Sequence, residues 1–265
     1  MNPLERSLIE KAGYDNGWEN VLEENPERVL LGSSRHVGQV QIISLPGDAG
    51  YRISLSPFSL AAGLRHQVGD LGLADPGSDG SFWLLPDRTA LASLLRRSAR
   101  IAQALPDQPE RAFAKELEAA LVAVAGNGTE VERLVRQRVG QDIYRKAQLD
   151  YWGGRCAVTG LDLPDILRAS HAKPWADCQS DAERLDVFNG FLLAPDFDAL
   201  FDRGLITFST DGELQVSPQI TASHLAALRL FDPTTLHLRW ITPNHLPYLA
   251  WHQNYVFRGF SPLKE

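Results

Sequence analysis

The stretch between Pro195 and Gly204 restricts the fold more than any other part of this sequence. Proline is favoured in the first turn of a helix and glycine just after its end, so the stretch predicts a helix of about two turns. Within it, Asp198 and Asp202 are four residues apart. This spacing places both carboxylates on one helix face, where they repel each other unless a cation lies between them. The stretch therefore predicts a short helix that presents an oxygen-rich site for Mg²⁺ or Mn²⁺.

Two short apolar segments before this helix favour a pair of strands joined by a long loop. Residues 166–169 lead into His171, and Gly190-Phe-Leu-Leu-Ala ends directly before Pro195. An imidazole titrates in the range needed to take a proton from an attacking water molecule. The amide of Asn189, just before the second strand, is a group that can hold such a ring in one orientation. With a cation to neutralise charge on a phosphate, this set indicates hydrolysis of phosphodiester bonds.

Four motifs carry a resemblance to a known family. They are Cys156-Ala-Val-Thr-Gly, Ser170-His-Ala-Lys-Pro-Trp, Asn189-Gly-Phe-Leu-Leu and Asp198-Ala-Leu-Phe-Asp-Arg-Gly. Residues 151–208 resemble the HNH endonucleases, and the resemblance implies a ββα-metal fold that cleaves nucleic acid with one divalent cation per site. It also implies that His171 is the general base, that Asn189 is the middle residue of the motif, and that Asp198 and Asp202 hold the metal.

The sequence departs from the family pattern at three points. Ser170 stands where many relatives have an Asp or His ligand, so the third ligand is expected to be the hydroxyl or backbone of Ser170, or water. Asp196 stands where close relatives often have His, which could reflect loss of activity. The paired cysteine motifs of some HNH proteins are absent, so no structural zinc is expected. Nucleases of bacterial toxins place histidines at the two helix positions, whereas the carboxylates here favour Mg²⁺ or Mn²⁺ over Zn²⁺.

Several cations are candidates for contacts with DNA phosphates. The helix predicted at 128–150 is rich in both signs of charge. It is therefore interpreted either as a solvated helix face or as a surface that follows the DNA backbone. The candidate DNA-binding residues are Arg155, Lys173, Arg203, Arg138 and Arg145.

Composition limits the remaining possibilities. The chain has 265 residues and a formal net charge of -7. An acidic total counts against a protein that coats DNA through bulk charge, but it leaves a local basic groove possible. There is no apolar run of about 18 residues and no secretory signal at the N-terminus, so a cytoplasmic protein without a membrane segment is expected.

The pattern of elements predicts an α+β fold. Residues 1–105 are interpreted as a DNA-recognition domain, with strands expected at 28–32, 38–44 and 51–55. In the same domain, residues 68–81 are expected to form a loop, and Asp87 is expected to cap a helix that ends near Leu105. Residues 106–150 are interpreted as a helical linker. Residues 151–265 are interpreted as the ββα-metal nuclease domain, with a C-terminal helix.

The function predicted from residues and resemblance is metal-dependent cleavage of double-stranded DNA, in the manner of restriction or phage-defence nucleases. A homodimer is expected, because one active site per chain cuts both strands only through two chains or two successive nicks. Two alternatives remain at this point: a catalytically inactive HNH fold that binds DNA, and an RNA phosphodiesterase that uses the same site.

Overall fold

The computed structural model describes residues 1–65, 67, 82–123, 128–229 and 235–259. The chain divides into two compact units, Met1–Leu105 and Pro106–Glu265. Both units combine helices with antiparallel strands, which confirms the predicted α+β class. Among the described residues, none of the helices combines the length and the apolar character that a membrane crossing requires.

The first unit is a five-stranded antiparallel sheet with helices packed against it. The strands are neighbours in the order in which they occur along the chain. Its elements are α1 (Pro3–Asp15), β1 (Asn20–Glu24), β2 (Val29–Gly32), β3 (Gln39–Ser44), β4 (Tyr51–Ser56), α2 (Phe58–Arg65), β5 (Trp83–Leu85) and α3 (Arg88–Ala104).

Buried and unburied side chains alternate along the central strands of this sheet. Leu31, Val40 and Leu55 are aligned across β2, β3 and β4, and all three are buried. The flanking Gln39 and Gln41 are not buried, as a strand with one buried face requires. The three predicted strands and the helix capped by Asp87 are confirmed. The predicted loop at 68–81 lies outside the described residues.

The second unit contains the segment with the candidate site. The longest element of this unit among the described residues is the helix α5 (Thr129–Tyr151). The elements of the unit are α4 (Gln108–Ala123), α5 (Thr129–Tyr151), β6 (Arg168–His171), α6 (Asp181–Leu185), β7 (Gly190–Leu193), α7 (Pro195–Asp202), β8 (Ile206–Phe208), β9 (Leu214–Val216), α8 (Ala222–Ala227) and α9 (Leu246–Tyr255).

Residues 106–150 are part of this unit and not a separate linker. The helices α4 and α5 pack on each other, and α5 also packs against β6, β7 and α6. Their shared core includes Phe113, Leu117, Ile143, Tyr144 and Leu185. Because Leu185 ends α6, which lies between β6 and β7 in the chain, the two helices share a core with the segment that carries the candidate site.

The strand, loop, strand and helix predicted from the sequence are present as β6, β7 and α7. β6 and β7 are antiparallel, and Ser170 lies opposite Phe191 while His171 lies opposite Gly190. α7 begins at Pro195 directly after β7, and its buried side chains include Phe197 and Phe201. This is the ββα arrangement.

The C-terminal helix α9 contacts α7 through the side chain of His252. His252 on α9 is stacked on the ring of Phe201, with 3.8 Å between the ring centroids. Its Nδ1 lies 3.0 Å from the hydroxyl of Thr207, and its Nε2 lies 3.0 Å from the carbonyl oxygen of Phe201. Since both ring nitrogens have partners, His252 holds α9 and α7 together and has a packing role.

Candidate active site

The end of β6 presents two polar side chains in opposite directions. Successive residues of a strand point to opposite faces, so Ser170 and His171 face different elements. Ser170 is 2% exposed, and its hydroxyl donates a hydrogen bond to Asp198 on α7. His171 faces α5, where its ring is stacked on Tyr144 at 3.8 Å between centroids.

The contacts of His171 define which ring nitrogen carries the proton. Nε2 lies 2.9 Å from the carbonyl oxygen of Arg184. A carbonyl oxygen only accepts, so Nε2 is the protonated nitrogen and Nδ1 keeps its lone pair. Burial lowers the pKa of His171 to about 4, and the Arg184 carbonyl offsets part of this effect. The imidazole is therefore neutral near pH 7, the state in which it can accept a proton.

Asn189 does not orient this ring through its amide, and that prediction is wrong. Asn189 is fully buried. Its Oδ1 accepts a hydrogen bond from the backbone N–H of Lys173 at 2.8 Å, and its Nδ2 donates to the carbonyl of Glu183 at 3.0 Å. Nδ2 also lies 3.2 Å from the carbonyl of Lys173 and 3.4 Å from the sulfur of Cys178. The side chain thus closes the loop between β6 and β7, and the carbonyl of Arg184 takes the role assigned to it.

Of the three carboxylates on α7, those of Asp198 and Asp202 are electrostatically coupled. Loss of solvation and, secondly, the negative charge of Asp198 raise the pKa of Asp202 to about 6, although the residue is exposed. Asp196 is exposed and its carboxylate accepts from the N–H of Phe197, so it does not join this pair. Two carboxylates with a neighbouring hydroxyl are a donor set that suits a hard cation whose other positions are filled by water. Within the described ranges, no three His, Cys, Asp or Glu side chains are grouped around a common metal position.

One open cleft of about 460 Å³ is lined by four of the predicted site residues. Its lining includes Ser170, His171, Asp202, Arg203 and Trp175. Arg203 is exposed, and in the part of the chain that the structure describes its guanidinium forms no ion pair with a carboxylate within 4 Å. The cleft therefore brings together a neutral imidazole, a carboxylate and a cationic side chain.

The other predicted DNA-binding cations differ in their environment. Lys173 forms an ion pair with Glu183 at 2.5 Å, and its side chain is only 13% exposed. Arg145 donates to the carbonyl of Leu167 and, at 2.9 Å, to that of Pro164. Both side chains are occupied by contacts within the fold, which counts against their assignment to DNA.

Arg155 and Arg138 are the remaining candidates. The guanidinium of Arg155 lies 3.6 Å from Asp162, and both side chains are exposed, so this pair is open to competition by phosphate. Arg138 is exposed on α5. These two positions, with Arg203, stay candidates for contacts with a polyanion.

Sequence reasoning missed two residues that contact His171. Tyr144 is 1% exposed and lies on α5, a helix whose sequence is rich in charged residues. The signal that could have revealed it is the series of apolar residues at helical spacing, Ile143, Tyr144, Ala147 and Tyr151, all of which are buried. Arg184 contacts the ring through its backbone, and no sequence pattern identifies such a contact.

Comparisons with known proteins agree with the geometry of the site. Residues 156–209, about one fifth of the chain, match the family model described as HNH endonuclease. No curated protein matches the chain. The matched segment includes β6, the loop that Asn189 closes, β7 and α7. The family match and the ββα geometry together support the HNH family, and hence a nuclease, for residues 156–209.

Proposed function

We propose that the second unit is a divalent-metal-dependent endonuclease that hydrolyses phosphodiester bonds of double-stranded DNA. The observation that carries the proposal is the cleft in which the neutral ring of His171 lies beside Asp202 and Arg203. Ser170, which also lines the cleft, donates a hydrogen bond to a second carboxylate, that of Asp198. The match of residues 156–209 to the HNH endonucleases supports the same chemistry.

In this proposal each side chain has one role. His171 accepts a proton from the attacking water at Nδ1, while the Arg184 carbonyl retains the proton at Nε2. Asp198 and Asp202 would hold one Mg²⁺ or Mn²⁺ ion, with the hydroxyl of Ser170 or water as a further ligand. A bound cation would neutralise the charge that develops on the phosphate and the leaving oxygen. Asn189 keeps the loop closed so that His171 stays in place.

Arg203 is proposed to contact a phosphate that flanks the bond to be cut. A guanidinium binds phosphate oxygens with two parallel hydrogen bonds, and Arg203 is the exposed cation that lines the cleft. Arg138 and Arg155 are proposed to extend this contact to neighbouring phosphates.

The first unit is proposed to select the DNA target, in a restriction or phage-defence role. We also propose a homodimer as the form that cuts both strands, since each chain supplies one cleft. Sedimentation of the protein with and without duplex DNA tests whether it is a homodimer. A protein that sediments as a monomer in both cases and still makes double-strand breaks in a plasmid without a nicked intermediate would contradict the dimer.

The decisive experiment compares plasmid cleavage by the wild type, His171→Ala and His237→Ala, each with Mg²⁺, Mn²⁺ or EDTA. His237 is exposed and lies outside the cleft, so its variant is the matched control. We expect metal-dependent nicking or cutting by the wild type and the control, and at least about a hundredfold slower cleavage by His171→Ala. Methylated and unmethylated plasmids in parallel report target choice.

Two outcomes would redirect the proposal. Cleavage of single-stranded RNA in preference to plasmid would assign the same site to an RNA phosphodiesterase. A folded wild type that binds duplex DNA but cleaves no nucleic acid with either metal would favour an inactive HNH fold, in which Asp196 replaces a required histidine.

A further inference from the structure

One face of α5 carries a line of residues that each contact a different part of the candidate site. Gly140, Tyr144 and Gln148 are four residues apart, so they lie on one side of the helix. A Cβ atom at Gly140 would collide with the indole of Trp175, which packs there. The Nε2 of Gln148 donates to the carbonyl of Val187 at 2.7 Å. Tyr144, between them, contacts the ends of both strands.

The ring of Tyr144 lies flat against the ring of His171. The two centroids are 3.8 Å apart and the ring planes differ by 19°. Trp175 approaches the imidazole edge-on, with 6.0 Å between centroids and 89° between planes. The hydrogen bond from Nε2 to Arg184 fixes one point of the ring, and the stack fixes its plane.

The hydroxyl of Tyr144 joins α5 to the point where β7 begins. It donates to the carbonyl of Asn189 at 2.8 Å and lies 3.4 Å from the carbonyl of Ser170. The space around it is filled, because a Cβ atom at Gly190 would collide with the Ser170 carbonyl and with this hydroxyl. Glycine is therefore required after Asn189 for Tyr144 to reach both strands.

We propose that Tyr144 is a positioning residue for His171. Its ring holds the imidazole in the plane that directs Nδ1 into the cleft, and its hydroxyl holds the ends of β6 and β7 at the correct distance from α5. Tyr144 lies outside the segment that matches the HNH family model, so the role belongs to the architecture of this chain. The kinetic consequence rests on the proposed endonuclease function, whereas the structural consequence does not.

The test uses the full-length chain and three variants. Tyr144→Leu removes the stacked ring, and Tyr144→Phe keeps the ring but removes the hydroxyl. Tyr151→Leu is the matched control, because Tyr151 is an equally buried tyrosine on the same helix whose ring contacts Trp152, Phe188 and His245. NMR of ¹⁵N- and ¹³C-labelled histidine reports the tautomer of His171 and the ring-current shift of its carbon-bound protons. Cleavage assays report kcat and KM.

In the wild type we expect a single Nε2–H tautomer and carbon-bound ring protons that are shifted upfield relative to those of exposed His237. Tyr144→Leu should remove that shift, give a mixture of tautomers and lower kcat about ten- to a hundredfold with little change in KM, since a small misplacement of a reacting group has that effect. Tyr144→Phe should restore the shift and most of kcat. Tyr151→Leu should leave the His171 signals unchanged.

The proposal is overturned if the wild-type His171 protons show no upfield shift, a measurement that requires no variant to fold. It is equally overturned if a folded Tyr144→Leu keeps the wild-type tautomer and kcat, or if Tyr151→Leu alters them as much. Absence of cleavage by the wild type would contradict the proposed function, while the NMR signals would still decide the role of Tyr144.

Discussion

At the scale of single residues, the site depends on buried polar groups whose hydrogen bonds are satisfied. Asn189 is the main example, since its amide contacts both ends of the loop between β6 and β7. Ser170 is similar, because its buried hydroxyl is directed to Asp198. When a buried polar group loses its partner, the free energy of unfolding falls by more than the hydrogen bond contributed. The reason is that the group left behind has neither a protein partner nor water to bind. Substitutions at such residues should therefore affect stability as well as activity.

Asn189→Ala should lower the free energy of unfolding by about 1–3 kcal/mol, because the partly buried N–H of Lys173 and carbonyl of Glu183 lose their hydrogen bonds to the buried amide. Urea denaturation measures this change. Asn244→Ala is the control: Asn244 is exposed, and its substitution should change stability by less than about 0.5 kcal/mol. Equal stability of the two variants would mean that Asn189 does not close the loop.

Asp198→Asn should weaken binding of Mn²⁺ by at least about tenfold, because it removes one of the two charged ligands. Titration calorimetry with Mn²⁺ alone measures the affinity without any substrate. The matched control is Asp196→Asn, which changes an exposed carboxylate two residues away and should bind Mn²⁺ as the wild type does. A loss of affinity in Asp196→Asn instead of Asp198→Asn would move the metal site to Asp196.

At the scale of elements, α5 is both a charged surface helix and the support of the candidate site. Most of its cations are paired within the fold: Arg136 lies 2.6 Å from Asp181, and Arg145 binds two backbone carbonyls. Arg133 pairs with Glu130 at 2.6 Å. The sequence left open whether this helix is a solvated face or follows DNA, and these pairings favour the former for most of its length.

Arg138→Gln and Arg145→Gln should therefore behave differently. Arg145→Gln should lower the free energy of unfolding by about 1–2 kcal/mol, since the carbonyl of Leu167 loses its guanidinium donor and that of Pro164 keeps only the N–H of Leu167. Arg138→Gln should leave stability unchanged and reduce the slope of log affinity for duplex DNA against log salt by about 0.9. Thermal unfolding and fluorescence anisotropy at several salt concentrations measure the two effects. Identical salt slopes for the wild type and Arg138→Gln would exclude a phosphate contact there.

In the first unit, Glu19 ties the start of β1 to the loop after β2. Its carboxylate accepts from the hydroxyl of Ser33 at 3.0 Å and from the N–H and hydroxyl of Ser34 at 3.0 and 2.8 Å. Burial alone would raise the pKa of Glu19, but these hydrogen bonds together outweigh burial and lower it to about 2.

A carboxyl group with a lowered pKa stabilises the fold above its ordinary pKa of 4.5, and this contribution is lost as the pH falls towards 2. Glu19→Ala should therefore cost about 1–2 kcal/mol at pH 7 and much less near pH 2.5. Denaturation at both pH values measures the difference. Glu27→Ala, at an exposed position in the same unit, is the control and should change stability by less than about 0.5 kcal/mol at pH 7.

At the scale of the whole molecule, the chain consists of two units that each have a buried core. Trp18 and Trp83 are fully buried in the first unit, and Trp152 and Phe191 are fully buried in the second. The candidate cleft is lined entirely by residues of the second unit. Chemistry and target choice can therefore reside in different units.

A chain of residues 106–265 should fold and retain metal-dependent cleavage, but it should lose the preference for particular DNA sites. Circular dichroism checks folding, and sequencing of the cut ends checks site choice. Cleavage of the same sites with the same efficiency by the shortened chain would contradict a recognition role for residues 1–105.

Local signals in the sequence determined the elements that carry the candidate chemistry. Proline and glycine set the ends of α7, and the four-residue spacing put Asp198 and Asp202 on one face of it. Alternation predicted β3, and a capping aspartate predicted α3. The edge strand β1 was not predicted, because Val21 and Leu22 are adjacent and both exposed, so alternation is lost and pairing with β2 decides its structure.

Only the tertiary structure decided which polar groups meet. Caps and helical spacing act within about four residues, so they can be read directly from the sequence. Tyr144 reaches the carbonyl of Asn189 across 45 positions, and Asn189 reaches Lys173 across 16. The sequence likewise does not determine the partners of Lys173 and Arg145, because a long, flexible side chain binds whichever acceptor the fold brings within its reach. The sequence determined which groups are available for the chemistry, and packing of α5 against β6 and β7 decided how His171 is held.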